Sequence, residues 1–157
     1  MIKKFDCKGS IILGMHDAIV SLTGLIAGLG FALHNTVTII LSCIIASVTA
    51  GLSMGAANYL AVKTTNKNNA LRAAFYTGFA YIITCILLIF PFFIFSSRIV
   101  TLVSVFLMAL YIIFFFNFFF YRRQNFYKNF SEMLIICTLV SIISFFIGFI
   151  GKYFLEM

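Results

Sequence analysis

The sequence predicts an all-α, polytopic membrane protein: a transmembrane bundle of five helices. The first observation is composition, since 63% of the 157 residues are hydrophobic and only 10% are charged, whereas soluble domains carry about 25% charged residues. The second is the length of the apolar stretches, because a helix of about 20 apolar residues crosses a hydrocarbon core about 30 Å thick. The third is that polar and apolar residues do not alternate along these stretches, which argues against a membrane β-barrel.

Five stretches are long enough to cross a bilayer. The expected helices are residues 11–33, 37–62, 73–95, 99–121 and 133–154. The segments between them are short, so we expect residues 1–157 to form a single transmembrane domain. Pro91 is expected to kink or end the third helix. Asn129 and Glu132 have the spacing of a helix N-cap and its reciprocating carboxylate.

The distribution of Lys and Arg predicts the orientation, because these residues accumulate on the cytoplasmic side. With the N-terminus inside, the outer side holds only Arg98 and Lys152 and the other cations lie inside. We therefore expect a cytoplasmic N-terminus and an outer C-terminus. This asymmetry accounts for the net charge of +7, so we expect membrane lipids as partners and no nucleic acid. The richness in Ile, Phe, Asn and Lys is typical of an AT-rich genome and favours a bacterial inner membrane over an organelle membrane.

Asp17 is the acidic residue that stands out, because it lies six residues into the first expected helix, about 9 Å from its inner end. A carboxylate at such a depth costs on the order of 2.5 to 3.5 kcal/mol on insertion scales, so the default interpretation is a functional site that faces protein or water. The alternative is a structural carboxyl that is protonated or hydrogen-bonded to a neighbouring helix.

Small and polar residues share the helix face of Asp17. They follow at spacings of three and four and are Gly14, Ser21, Gly24 and Gly28. The second helix has a matching stripe, with Gly51 and Asn58 beside it, that comprises Cys43, Ser47, Ala50, Met54, Ala57 and Ala61. Small residues let helices in lipid approach closely. We therefore expect the two stripes to face each other.

Met54 is expected at a depth similar to that of Asp17, because it lies eight residues from the inner end of the second helix, or about 12 Å. A carboxylate with a thioether suits a borderline divalent ion such as Fe²⁺ or Mn²⁺, although a methionine in an apolar helix is usually a packing residue. One chain supplies too few ligands. Two copies about a two-fold axis would supply two carboxylates and two sulfurs, so we expect a homodimer that carries the metal as cargo and has no permanently bound cofactor.

Two motifs carry a resemblance to a known family. Residues 14–21 read GMHDAIVS, followed by LIAGL at 25–29, and residues 53–60 read SMGAANYL. Together they resemble the first two helices of the vacuolar iron transporter family of iron and manganese exporters. The similarity extends through the helix of Pro91 to the last helix, where Glu132, Met133 and Leu134 lead to a Phe-Ile-Gly sequence at residues 146–148.

The resemblance implies five helices per protomer in a homodimer, with an ion path along the dimer axis past Asp17 and Met54. It also implies an acidic residue near the inner mouth, here Asp6, and export of metal from the cytosol in exchange for protons. The chain departs from the family twice. The glutamate-rich cytosolic domain that usually separates helices two and three is reduced to a short segment, residues 63–72, whose charged residues are all basic. The glutamate of the second-helix motif is replaced by Asn58.

Three functions remain open from the sequence, and none of them is enzymatic. The first is an Fe²⁺ or Mn²⁺ transporter, a short form of the family that works as an antiporter. The second is a non-transporting membrane interaction protein or degenerate relative. The third is a small proton-coupled exporter of organic cations, a class that also uses a lone carboxylate in a dimer. That class stacks its substrates on aromatic residues, whereas the neighbours of Asp17 are glycine, serine and alanine.

Overall fold

The structure, a computed structural model, describes residues 7–65, 67–95, 97–120 and 126–155, and throughout these ranges the regular structure is helical. The helices are α1 (Cys7–Ala32), α2 (Thr36–Thr65), α3 (Ala70–Ile89), α4 (Pro91–Ile94), α5 (Arg98–Phe120) and α6 (Phe126–Leu155), with a 3-10 turn at Lys67–Asn69. Five spans in this part of the chain are long and apolar enough to cross a membrane, the third being Lys67–Ile94 with α3 and α4 in it. The predicted five-helix transmembrane bundle is confirmed.

Pro91 interrupts the third span, as predicted. Proline has no backbone N–H, and its ring crowds the carbonyl group four residues earlier. The helix α3 therefore ends at Ile89, although Phe90 N–H still donates to the Ile86 carbonyl oxygen at 3.0 Å. The chain then resumes as the single turn α4, which Phe95 N–H closes on the Pro91 carbonyl oxygen at 3.1 Å.

Several helices extend beyond the apolar stretches that predicted them. The last helix begins at Phe126 rather than at residue 133, so Asn129 and Glu132 lie within it and the N-cap interpretation is wrong. Hydropathy marks only the part of a helix that lies in hydrocarbon, whereas the backbone hydrogen bonds continue into the headgroup region. A helix of 30 residues, such as α2 or α6, is about 45 Å long and spans both regions.

The helix α1 is the centre of the bundle, because it contacts α2, α3, α5 and α6, and it packs most extensively against α6 and α3. The helix α2 packs mainly against α3. The core is formed where these helices meet and includes Ile19 and Ile26 of α1, Leu88 of α3 and Val105 of α5, none of which is exposed. Five crossings put the two ends of the chain on opposite sides, and a cytoplasmic N-terminus stays a prediction.

The stripe glycines of α1, namely Gly14, Gly24 and Gly28, pack against α3 and α6 rather than α2, so the expected face-to-face packing of the two stripes is wrong. A Cβ atom on Gly14 would collide with the backbone carbonyl group of Thr77 in α3. A Cβ on Gly28 would lie 2.8 Å from the carbonyl oxygen of Ser144 in α6, and one on Gly24 would lie 3.0 Å from the Ser144 hydroxyl. These close approaches are the contacts that small residues allow between membrane helices.

Candidate metal site at Asp17

Asp17 lies near the middle of α1 and is partly exposed on the surface of the chain. Its backbone carbonyl accepts a hydrogen bond from Ser21 Oγ at 2.6 Å, but within the described ranges no donor reaches its carboxylate. A carboxylate facing hydrocarbon without a partner is costly. This part of α1 is therefore expected to meet water, a cation or another chain.

The contact between Asn58 and Ser10 fixes the relative height of α1 and α2. Asn58 Nδ2 lies 3.3 Å from Ser10 Oγ, so these two residues are at the same level of two antiparallel helices. At 1.5 Å per residue, Asp17 lies about 10 Å and Met54 about 6 Å further into the bundle. The two residues are thus about one helical turn apart in depth, close to the similar depth that the sequence predicts.

The directions of the two side chains reduce this separation further. Side chains on a helix lean toward its N-terminus, and α1 and α2 run in opposite directions. The side chain of Asp17 therefore leans toward the level of Met54, and that of Met54 leans toward the level of Asp17. Met54 is partly buried and packs against the hydrophobic core, so its thioether lies beside the bundle interior rather than in open lipid.

Tyr81 of α3 joins the surroundings of Asp17, and the sequence reasoning missed it. Its side chain is buried, and its hydroxyl oxygen is 2.7 Å from Ser21 Oγ. Because Ser21 already donates its single proton to the Asp17 carbonyl oxygen, Tyr81 is the donor to Ser21. The signal was present in the sequence, since Thr77, Tyr81 and Cys85 recur every four residues on one face of α3, and all three are buried.

Asn58 connects three helices at the Ser10 end of the bundle. Its amide nitrogen is 2.6 Å from Thr77 Oγ1 and 3.4 Å from the Ala73 carbonyl oxygen, in addition to its contact with Ser10. The Thr77 hydroxyl in turn donates to the Ser10 carbonyl oxygen at 3.0 Å. The three hydrogen-bond partners of the Asn58 nitrogen are oxygen atoms, and the Thr77 hydroxyl already donates its proton to Ser10, so a hydrogen-bond donor suits this position. An ionised glutamate has none, and Asn58 acts here in helix packing.

The other small and polar residues of the two expected stripes also contribute to packing. Ser47 is buried and donates to the Cys43 carbonyl oxygen at 2.6 Å. A Cβ on Gly51 would lie 2.9 Å from the side chain of Ile82 in α3. Together with Gly14, Gly24 and Gly28, these residues position the helices around Asp17. Asp6, expected at the inner mouth, lies outside the described residues.

Metal-binding groups do not cluster in the described part of a single chain. Over the ranges that the structure describes, no group of three or more His, Cys, Asp or Glu side chains is placed to hold a metal ion. The Ser21 hydroxyl, one turn from Asp17, is bonded to the Asp17 carbonyl oxygen and to the Tyr81 hydroxyl. Among the described residues, one chain therefore offers a single carboxylate at this level of the bundle.

Comparison with known proteins matches the same part of the chain. Residues 9–70 match the VIT family, a segment that holds α1 and α2 and includes Asp17, Met54 and Asn58. No curated protein matches the chain. The match agrees with the resemblance to the vacuolar iron transporters over these two helices and supports membrane transport of a metal ion. With its five membrane-length helices, the chain is an integral membrane protein similar, through α1 and α2, to the VIT family.

Proposed function

We propose that the protein exports a divalent metal ion, Fe²⁺ or Mn²⁺, from the cytosol as a homodimer, with the ion path at the shared axis past Asp17 and Met54. The observation that carries the proposal is the partly exposed carboxylate of Asp17 at membrane depth, which no described donor reaches. Covering it with a second copy removes it from lipid and brings a second carboxylate to the same site. The bacterial inner membrane is the proposed location.

Charge balance favours two copies over one. Two Asp17 carboxylates neutralise a divalent ion, and a two-fold axis along the membrane normal keeps both at one depth. Two Met54 thioethers add soft ligands that favour Fe²⁺ or Mn²⁺ over Mg²⁺ or Ca²⁺, and water completes the coordination shell. Dimers with a two-fold axis are the commonest closed assembly.

The surfaces beside Asp17 suit such a contact. On α1, Leu13 and Ser21 lie one turn to either side of Asp17 and are exposed. On α2, Thr49, Ser53 and Ala57 are exposed at four-residue spacing, in a row that continues to Ile45 and Ala61. Small and hydroxyl side chains permit close helix contact and hydrogen bonding across an interface in lipid.

Proton exchange follows from the same pair of carboxylates in this proposal. If each Asp17 binds a proton when the ion leaves, one divalent ion is exchanged for two protons and the site never holds an unbalanced charge. In proteoliposomes, an acidic lumen should then accelerate metal uptake, and uptake should make the lumen more alkaline. A pH dye trapped in the lumen measures this, and metal uptake without any change of lumenal pH would contradict the antiport.

The decisive test of the site is flux of Fe²⁺ and Mn²⁺ into proteoliposomes. Asp17→Asn keeps the size of the side chain but removes its charge, so we expect flux at the level of empty vesicles. Glu132→Gln is the matched control, because Glu132 is exposed on α6 and should be replaceable without loss. If wild-type protein gives no metal-dependent flux, the transport function is wrong. If Asp17→Asn transports normally, the site is wrong.

Met54 has its own control within the chain. Met54→Leu preserves apolar volume but removes the sulfur, and we expect metal flux to fall by about tenfold or more, the size of effect seen when support of a metal site is lost. Met15→Leu, at a buried methionine of α1, should change flux little. Equal effects of the two substitutions would show that Met54 is only a packing residue.

A further inference from the structure

We propose that a groove between α1, α3 and α5 holds one acyl chain of an anionic phospholipid whose phosphate binds Arg72 at the Ser10 end of the bundle. The groove has a volume of about 560 Å³, within the range of roughly 300 to 1,000 Å³ for ligand sites in proteins. It lies on the other side of α1 from Asp17, because Met15, which lines the groove, is two residues and so about 200° away around the helix. The proposal does not depend on metal transport.

The groove exists because α5 stands away from α3. Both helices pack on α1, α3 closely and α5 more loosely, and they contact each other only sparsely. The floor of the groove is formed by the buried side chains of Met15, Thr84 and Phe116. Its walls carry exposed apolar side chains, such as those of Phe79 on α3 and Phe115 on α5. The open side of the groove therefore faces the membrane.

The polar groups of the groove are compatible with an acyl chain, which offers no hydrogen bonds. The Thr84 hydroxyl already donates to the Ala80 carbonyl oxygen at 2.8 Å, so it needs no partner from a ligand. Tyr111 is 63% exposed, so its ring stands at the rim of the groove beside the membrane. Apart from these two residues and Tyr76 at one end, the lining is apolar.

The length of the groove fits one leaflet of a bilayer. The helix α3 lines it from Tyr76 to Leu87, which are 11 residues and so about 17 Å apart. Half of the hydrocarbon core is about 15 Å thick, and tyrosine is a typical residue of the headgroup level. The groove therefore runs from the level of Tyr76 to about the middle of the membrane. One acyl chain covers this distance, whereas a membrane-spanning helix would need about twice the length.

Arg72 stands at the headgroup end of the groove. It lies one helical turn before Tyr76 on α3, and both residues line a recess of about 440 Å³. Because Tyr76 lines the groove as well, the recess and the groove adjoin. Arg72 is exposed and has no ion pair or hydrogen bond in the part of the chain that the structure describes. Its guanidinium group can donate two parallel hydrogen bonds to a phosphate.

The charge at this end of the bundle favours an anionic headgroup. The one acid near it in the described ranges is Glu132, against the cations Lys8, Lys63, Lys67, Arg72 and Lys128. The residues before Cys7 add two lysines and one aspartate, so the excess of positive charge remains. Each Lys or Arg near a membrane surface adds about 1 kcal/mol of attraction to anionic lipids, which concentrate on the cytoplasmic side. This end is the predicted cytoplasmic one.

The first test is the lipid retained by the purified protein, measured by native mass spectrometry with phosphatidylglycerol and phosphatidylcholine supplied in equal amounts. We expect one phosphatidylglycerol to remain per chain. Arg72→Gln should lower the preference for the anionic lipid about fivefold, the effect of losing about 1 kcal/mol of attraction. Lys67→Gln is the matched control, because Lys67 is exposed at the same end and lines neither the recess nor the groove. Equal losses in the two variants would show a general effect of surface charge and would overturn the proposal.

The second test locates the acyl chain of the lipid. Phosphatidylglycerol with a photoreactive acyl chain should label residues 76–87 and 111–116. Ala80→Phe fills the groove and should abolish this labelling, whereas Ala56→Phe, at an exposed position of α2, should leave it unchanged. Labelling spread evenly over α2 as well would contradict the assignment of the groove.

Two other occupants are distinguished by the same preparation. Displacement of the lipid by glycerol phosphate would show that the headgroup alone is recognised, and the proposal of a lipid site would be wrong. Crosslinking of α5 between two copies, with no lipid retained, would show that a second protomer covers the groove, which would also overturn the proposal.

Discussion

The side of the bundle formed by α1, α2 and α3 is held together differently from the side formed by α5. In the first, α1 and α3 approach until a Cβ on Gly14 would meet the Thr77 backbone, and Asn58 bonds from helix to helix. In the second, α5 packs only sparsely on its neighbours, and exposed Phe side chains stack along it. The first side holds Asp17, and α6 joins it by packing closely on α1 at Gly28 and Gly148.

The largest expected effect comes from a glycine of the α1, α2 and α3 side. Gly14→Ala places a Cβ against the Thr77 backbone, so the two helices must separate, and we expect a loss of about 3 kcal/mol in the free energy of unfolding. Gly151→Ala has nothing within 4 Å and should instead stabilise α6 by about 0.5 to 1 kcal/mol. Unfolding by SDS titration in mixed micelles measures both. A Gly14→Ala protein as stable as wild type would refute close packing on this side.

A pair of asparagines compares the two sides directly. Asn58 bonds to α1 and α3, whereas Asn117 Nδ2 bonds to Ile113 of its own helix and to Met133 Sδ at 3.5 Å, and its Oδ1 is buried without a partner among the described residues. Asn58→Leu should cost about 2 kcal/mol, because the buried hydroxyl oxygens of Ser10 and Thr77 lose the group that donates to them. Asn117→Leu removes an unpaired oxygen and should be neutral or stabilising. The same titration measures both, and equal losses would contradict the contrast.

A smaller effect is expected at the hydrogen bond between Tyr81 and Ser21. Tyr81→Phe should lower the free energy of unfolding by about 0.6 kcal/mol, the average for such bonds between membrane helices. Ser21→Ala should cost a similar amount, and the double variant should cost no more than either single one. Tyr111→Phe, at an exposed position of α5, is the control and should have no effect. Additive losses would mean that the two hydroxyls do not interact.

The smallest effect is expected on the lipid-facing surface of α5. Phe118 is 68% exposed and stacks only loosely on Phe114, with ring centres 6.5 Å apart. Phe118→Leu should therefore change the free energy of unfolding by less than about 0.5 kcal/mol. A larger loss would show that this surface is an interface with protein rather than with lipid.

Much of the fold could be predicted from the sequence, because the bilayer acts on each helix separately. The five spans follow from length and hydropathy, and the break at Pro91 follows from its missing N–H. A site at Asp17 stays a prediction, which rests on the cost of a carboxylate in hydrocarbon. Residue counts place Met54 and Asp17 within about one helical turn of each other in depth, but not in the order that the Asn58 and Ser10 contact gives. Helix ends in the headgroup region could not be predicted, as the start of α6 at Phe126 shows.

Which faces meet was decided only by the tertiary structure. In a water-soluble protein, the buried face of a helix is apolar, so it can be predicted from the spacing of apolar residues. Lipid is as apolar as a protein core, so this spacing does not distinguish the protein-facing side of a membrane helix from its lipid-facing side. The sequence therefore shows that Gly14, Gly24 and Gly28 lie on one face without showing that they meet α3 and α6. By itself the sequence determined that Asp17 lies in the membrane. The tertiary structure placed it on the surface of the chain and joined Ser21, one turn away, to Tyr81 of α3. A contact between two helices depends on both of them, so it cannot be predicted from either helix alone.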